Sequence, residues 1–207
     1  MTDEEFVAFV DRVGFCSWQR FERLPGLPSL EEESGWSGHD LFNQTWFWKD
    51  DLHIERRLYY GQILAAGVPV FVSNALLPLF VAAQGDNDPR TLYEQNRLPR
   101  AAVQIYEHVE REGPTPSNRL PVSGADRQRA LIALQRPFLL TKAGLTGRGR
   151  GTYGYIWDRC EAHFPDVFTE AARLSVARAR AGIRERLLEH VDISEQRLSK
   201  LLHWHDG

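Results

Sequence analysis

Two arginines alternate with three glycines in Gly147-Arg148-Gly149-Arg150-Gly151. Glycine lets backbone approach a ligand closely, and arginine enters narrow, electronegative minor grooves. Lys142 and Thr146, a few residues upstream, are side-chain types that hold phosphate oxygens. A second set precedes them on a helical stretch. There Ala130, Leu131 and Leu134 define a buried side, and at 100° per residue Gln128, Arg129 and Arg136 turn away from it. Recognition helices read base edges from their N-terminal turns; Gln pairs with adenine and Arg with guanine. Gln128 and Arg129 are therefore the base-edge candidates, while Arg127 falls on the apolar side. The chemistry this pattern supports is phosphate and base-edge contact with double-stranded DNA. The plainer alternatives are an ordinary solvated helix face and a flexible turn carrying solubilising charge.

A different chemistry would need carboxylates. Asp50 and Asp51 follow the aromatic run Trp46-Phe47-Trp48-Lys49. They read either as a catalytic carboxylate site beside base-stacking rings, or as helix-start acids behind core aromatics. Cys16, between Phe15 and Trp18, reads as a small buried apolar residue rather than a nucleophile. His203 and His205 are an i, i+2 pair that lacks partners for a metal site, so no metal is expected. The sequence holds no phosphate loop, no GxSxG and no dinucleotide fingerprint, and no small-molecule cofactor is expected.

These residues need elements to position them. Thr115-Pro116 reads as a helix start, with an N-cap residue before an N1 proline. Ser123, three residues before Asp126, opens a second helix that Pro137 stops. Phe138 to Leu145 and Thr152 to Trp157 then read as a two-stranded hairpin. Tyr153, Tyr155 and Trp157 alternate onto one strand face, and the glycine-arginine run forms the tip. Upstream, Pro99 opens a helix from Arg100 to Glu112 with an apolar stripe of Ala102, Ile105, Tyr106 and Val109. The order helix, helix, helix, hairpin is that of a winged helix-turn-helix. From Gly113 to Cys160 eight Lys/Arg stand against two acids, a net of +6 in a chain of net −3.

The N-terminal half differs in charge. Its first sixty residues carry six Lys/Arg and twelve Asp/Glu. Thr2 and Glu5 form a capping box ahead of Phe6, Phe9, Val10 and Val13, and Gly14 ends that helix. Residues 15–40 read mostly as loop and short helical turns. Asp50 and Asp51 start a helix that carries Leu52, Leu58 and Tyr59. No charged residue occurs from Leu58 to Gly85, but Gly61, Gly67, Pro69 and Pro78 break that window. It reads as a helix end, a strand from Val68 to Val72, and a helix capped by Asn74, not as a membrane span. Gly85 to Pro89 is the linker candidate. Beyond Cys160, Val176, Ile183, Leu187 and Val191 mark a helix, a turn follows, and Leu198, Leu201 and Leu202 mark a last one.

The fold expected is mainly α with small β-hairpins, arranged as tandem winged-helix-like modules: 1–85, 86–160, and a C-terminal helical module 161–207. The last is either a clipped winged helix or a docking element. With 207 residues, two cysteines, no CxxC pair and an acidic MTDEEF start, a reducing cytoplasm is the expected location.

The run RPFLLTKAGLTGRGRGTYGYIWDRCEAHFPDVFTEAARLSVARARAGIRERLLE resembles the helix, wing and Pro-marked exit of the AlkZ-like winged-helix DNA glycosylases. WFWKDDLHIERRLYYGQILAAGVPVFVSNALLPLF is similar to that family's first winged module. The resemblance covers most of the chain. It implies tandem winged helices, contact with DNA, and a relation to repair of alkylated bases and interstrand crosslinks. The family's Gln-x-Gln or Gln-x-Asp motif follows an early helix; here Cys16 and Trp18 fall at the two motif positions, and Gln19 lies one residue late. Neither Cys nor Trp accepts a hydrogen bond from an attacking water as a carboxylate or amide oxygen does. Three functions remain open: a DNA-binding protein of repair or regulation, a glycosylase with an altered active site that uses Asp50 or Asp51, and a scaffold of the same fold without DNA contact.

Overall fold

The computed structural model describes residues 1–22, 24–64, 67–85, 87–191, 194–202 and 204. They are mainly α-helical, with two small three-stranded antiparallel sheets. The chain forms two compact units, Met1–Gln84 with Val167–Gly207, and Gly85–Asp166.

The first unit opens with α1 (Asp3–Val13). The Thr2 hydroxyl accepts from the Glu5 N–H, and the Glu5 carboxylate accepts from the Thr2 N–H at 2.7 Å, a complete capping box. Gly14 closes the helix at φ 85°, a conformation glycine adopts without strain. Then follow β1 (Phe15–Ser17), α2 (Leu30–Ser34), α3 (Gly38–Thr45), α4 (Trp48–Ile54), β2 (Leu58–Gly61), β3 (Val70–Ser73) and α5 (Leu77–Ala82). β3 lies between β1 and β2. Phe6, Phe9, Val10 and Val13 of α1 pack over this sheet with Cys16, Leu58, Tyr60 and Phe71. The Phe6 and Phe71 rings meet edge-on at 4.8 Å.

Three expectations change here. Leu58 and Tyr59 lie on β2, not on a helix, because α4 ends at Ile54 and Arg56 turns left-handed at φ 62°. Arg57 N–H then donates back to the Leu52 carbonyl, which seals the helix end. The next strand begins at Val70, not Val68; Pro69 has no N–H to give a ladder. Asn74 is not a helix cap. Its amide donates to the carbonyls of Arg56 and Arg57, while the Ser73 hydroxyl accepts from the Leu76 N–H.

The second unit comprises α6 (Pro89–Glu94), α7 (Arg100–Glu112), β4 (Thr115–Pro116), a 3-10 turn (Ser117–Arg119), α8 (Gly124–Gln135), β5 (Leu140–Gly147), β6 (Gly154–Arg159) and α9 (Cys160–His163). The Asp88 carboxylate caps α6 by accepting from the Thr91 N–H at 2.7 Å. The α7 stripe of Ala102, Ile105 and Val109 packs with Ala130, Leu131 and Leu134 of α8 and with Leu140 and Trp157 of the sheet. The expected helix start at Thr115-Pro116 is instead a short strand paired with Trp157 and Ile156. The hairpin is therefore one edge of a three-stranded sheet ordered β4-β6-β5. Proline suits such an edge, since it has no N–H to leave unpaired. Ser123 holds the N-cap position of α8 but makes no side-chain cap bond, and the Asp126 carboxylate pairs with Arg129 instead of closing a capping box.

The chain returns to the first unit through α10 (Pro165–Ala171), α11 (Val176–Leu188) and α12 (Glu195–Leu201). The Ser175 hydroxyl caps α11, which packs against α5. Arg180 Nε donates to the Ala83 carbonyl at 3.2 Å. The sequence reading sets residues 161–207 apart as a module; α11 has its packing partner in α5. His203, His205 and the Asp86 of the linker lie outside the described residues. No helix among the described residues is long and apolar enough to cross a membrane.

Candidate nucleic-acid interface

The hairpin of β5 and β6 is built for a projecting tip. Leu140 pairs with Arg159 and Gly147 with Gly154, and the register shifts twice, between Lys142 and Gly144 and between Leu145 and Gly147. Each extra residue bends the strand and increases its twist. At the end, Gly149 O accepts from the N–H groups of both Thr152 and Tyr153 at 3.0 Å. The Thr146 hydroxyl crosses the tip to donate to the Thr152 carbonyl at 2.7 Å. Thr146, Gly149, Thr152 and Tyr153 thus all contribute bonds that hold the turn. Arg148, Gly149 and Arg150 are exposed, as are Gly151 and Thr152.

Behind the tip the aromatic face forms as expected. Tyr153 and Tyr155 meet at 5.5 Å between ring centroids, and Tyr155 and Trp157 at 6.0 Å. The Tyr153 and Tyr155 hydroxyls are 2.8 Å apart. Lys142 Nζ stands 4.7 Å from the Tyr155 ring centroid, a cation held over an aromatic face. Lys142 is half-buried.

On α8, Gln128 and Arg129 are exposed while Ala130, Leu131 and Leu134 are buried. Arg129 Nη2 lies 2.5 Å from Asp126 Oδ1, so a carboxylate one turn back already holds this guanidinium. Arg136 departs from its expected exposure. It sits at the C-cap of α8, half-buried, and burial lowers its pKa from the ordinary arginine value. Seven to eight residues of helix, about 10–12 Å, separate it from Gln128 and Arg129.

The joint between helix and hairpin is Ser117, which sequence reasoning passed over. Its hydroxyl donates to the Tyr155 carbonyl and accepts from Trp157 Nε1, both at 2.9 Å. Its own carbonyl accepts from Arg127 Nη1 at 2.8 Å. Arg127 therefore ties α8 to the sheet. A serine followed by Asn118 and Arg119 looks like any turn in sequence; only the strand pairing of β4 reveals its place.

The alternative carboxylates lie in the first unit. Asp50 is 2% exposed, and its Oδ2 accepts from Lys49 Nζ at 2.6 Å. Lys49 Nζ also stands 4.2 Å from the Trp46 ring centroid. Burial lowers the Lys49 pKa, against the pull of Asp50. This is a closed ion pair among tryptophans. Asp51, in the same helical turn, is half-buried. Cys16 is fully buried at the centre of β1, and burial raises its thiol pKa, with Glu33 adding to the rise. Trp18 Nε1 donates to the Thr45 hydroxyl at 2.8 Å. Among the described residues, no three His, Cys, Asp or Glu are grouped to share a metal ion.

The class these features define is a mainly helical protein whose second unit carries a basic, aromatic-backed hairpin beside an exposed helix. A family model described as AlkZ related matches residues 1–203, and the chain belongs to that AlkZ-related family. Comparisons with curated proteins and with solved structures found no match.

Proposed function

We propose that this protein binds duplex DNA through residues 85–166 acting as a winged helix. α8 is the recognition helix, with Gln128 and Arg129 at the base edges. The β5–β6 hairpin is the wing, with Arg148 and Arg150 in the minor groove and Lys142 and Thr146 on phosphates. The observation that carries this reading is the exposed arginine pair on a turn closed by hydrogen bonds of its neighbours. Such a tip enters a groove without reorganising, and little ordering cost opposes binding. Membership of the AlkZ-related family supports a role in DNA repair. Arg136 contributes less than the wing, since it is half-buried at the end of α8.

The test is a titration of fluorescent duplex DNA across a salt series. Phosphate contact gives a log-log plot of affinity against salt that falls steeply. Weak, salt-insensitive signals would refute the proposal and leave the scaffold reading.

The family match favours one second reading, a glycosylase that hydrolyses the N-glycosidic bond of an alkylated base. Cys16 and Trp18 at the expected motif positions argue against it, one buried in a strand and the other bonded to Thr45. Asp50 would have to leave its pair with Lys49 to position water. Formation of abasic sites on alkylated duplex, lost on Asp50→Asn, would establish the enzyme instead.

A further inference from the structure

The 3-10 turn Ser117–Arg119 joins the two elements assigned to DNA, and it is pinned from both. The Ser117 hydroxyl donates to the Tyr155 carbonyl and accepts from Trp157 Nε1, which fixes the turn to β6. Arg127 Nη1 donates to the Ser117 carbonyl at 2.8 Å, which fixes it to α8. Leu120, the next residue, is buried in one core with Ala130 and Leu134 of α8 and Trp157 of β6. Asn118 and Arg119 lie between these anchors and are exposed. A side chain on a backbone held at both ends meets a ligand at little further ordering cost.

The charge of Arg119 is also uncompensated. Other exposed arginines of the second unit meet carboxylates: Arg90 meets Glu107 at 3.3 Å, Arg111 meets Glu112 at 2.8 Å, and Arg129 meets Asp126. Arg119 has no ion-pair partner among the described residues, and the Asp126 carboxylate at the start of α8 is held by Arg129. A phosphate that approaches Arg129 competes with that carboxylate; one that approaches Arg119 does not. From Ser117 to Arg129 three arginines stand against one acid, a net of +2.

We propose that Arg119 is a further DNA contact of this unit, holding a backbone phosphate between the recognition helix and the wing. The proposal rests on the assignment of α8 and the β5–β6 hairpin to duplex DNA. The role differs from that of Gln128. A cation on a phosphate adds affinity to every sequence, whereas an amide at a base edge selects one. A guanidinium suits this place because its N–H groups form charge-assisted bonds with phosphate oxygens.

Fluorescence anisotropy of the full chain on one labelled duplex, across a salt series, reads the contact. Arg119→Ala should lower the slope of log affinity against log salt by about 0.9. Over a fourfold rise in salt the wild type then loses about three- to fourfold more affinity than the variant. Arg119→Lys keeps the cation and should keep the slope. Arg90→Ala removes the same charge from α6 and should leave the slope unchanged. Circular dichroism melts on the same samples check folding. If Arg119→Ala melts early, Arg119→Gln against Arg119→Lys decides, since both side chains are long and only one is charged. A steep slope in the wild type that Arg119→Ala or Arg119→Gln leaves intact overturns this contact and leaves the wing standing. An equal reduction in Arg90→Ala also overturns it, because the loss is then one of net charge. A wild type without salt-dependent binding overturns both the contact and the DNA reading it rests on.

Discussion

Replacing Arg148 and Arg150 with alanine isolates the wing from the rest of the molecule. The tip is held by Gly149 O accepting two N–H groups and by the Thr146 hydroxyl on Thr152 O. These bonds come from the backbone and from Thr146, so the double variant should keep the turn and fold. Each phosphate neutralised releases counterions and adds about 0.9 to the slope of log affinity against log salt. Two arginines lost should flatten that slope by about 1.8. Over a fourfold rise in salt the wild type then loses about tenfold more affinity than the variant.

Fluorescence anisotropy on one labelled duplex, at four or more salt concentrations, reads the slope directly. Circular dichroism melts on the same samples check folding. A slope reduced by about 1.8 with an intact melt supports the wing. An unchanged slope with intact folding refutes the reasoning, since exposed cations at a DNA contact cannot leave without reducing counterion release. A reduction near 0.9 would mean that only one of the two arginines displaces counterions and the other faces solvent.

Other perturbations probe the scaffold. Ser117→Ala strips the buried Trp157 indole of its acceptor and should cost about 1–3 kcal/mol in denaturant unfolding. Gly26 has φ +87°, and a Cβ there would run into the backbone oxygen of His190, so Gly26→Ala should destabilise by at least about 1–3 kcal/mol from conformation alone. Asp50→Ala removes the carboxylate from buried Lys49 and should cost about 3–5 kcal/mol by thermal or chemical unfolding. Cys16 and Cys160 are fully buried, and burial raises both thiols above their ordinary pKa. A thiol reagent at pH 8 should therefore label neither in the native state and both in denaturant; rapid native labelling would contradict this packing.

Where the sequence was legible, local chemistry and tertiary packing agreed. The Thr2–Glu5 box, Pro99, and the apolar stripes of α1 and α7 each marked an element that the fold then buried on the expected side. Where it misled, the stop signal was not a glycine. Arg56, Asn96 and Phe138 all take positive φ just after helices α4, α6 and α8. At each, the following N–H reaches back five residues, to Leu52, Leu92 and Leu134. Glycine is the ordinary choice there, because a side chain at positive φ costs energy. Pro137 still announced the end of α8. Nothing announced the end of α4, so Leu58 and Tyr59 looked like a continuation of its face.

The site divides along the same line. The hairpin is legible because it needs only its own two strands and a glycine-rich turn between them. The surroundings of each cation are not legible, because neighbours in space set them. Arg129 meets Asp126 on the same helix, a pairing that spacing allows but does not compel. Arg136 loses solvation at the helix end, and Lys49 and Asp50 close on each other beneath Trp46. Serine 117 adds a further case: its three hydrogen bonds join β6 and α8, and the arrangement exists only once β4 has paired. A basic residue in a motif therefore identifies a candidate contact, and its partners decide what it can do. Arg148 and Arg150 are exposed whereas Arg136 is half-buried, so the proposed interface predicts a larger loss of DNA affinity, read by anisotropy, from alanine at the tip than from Arg136→Ala.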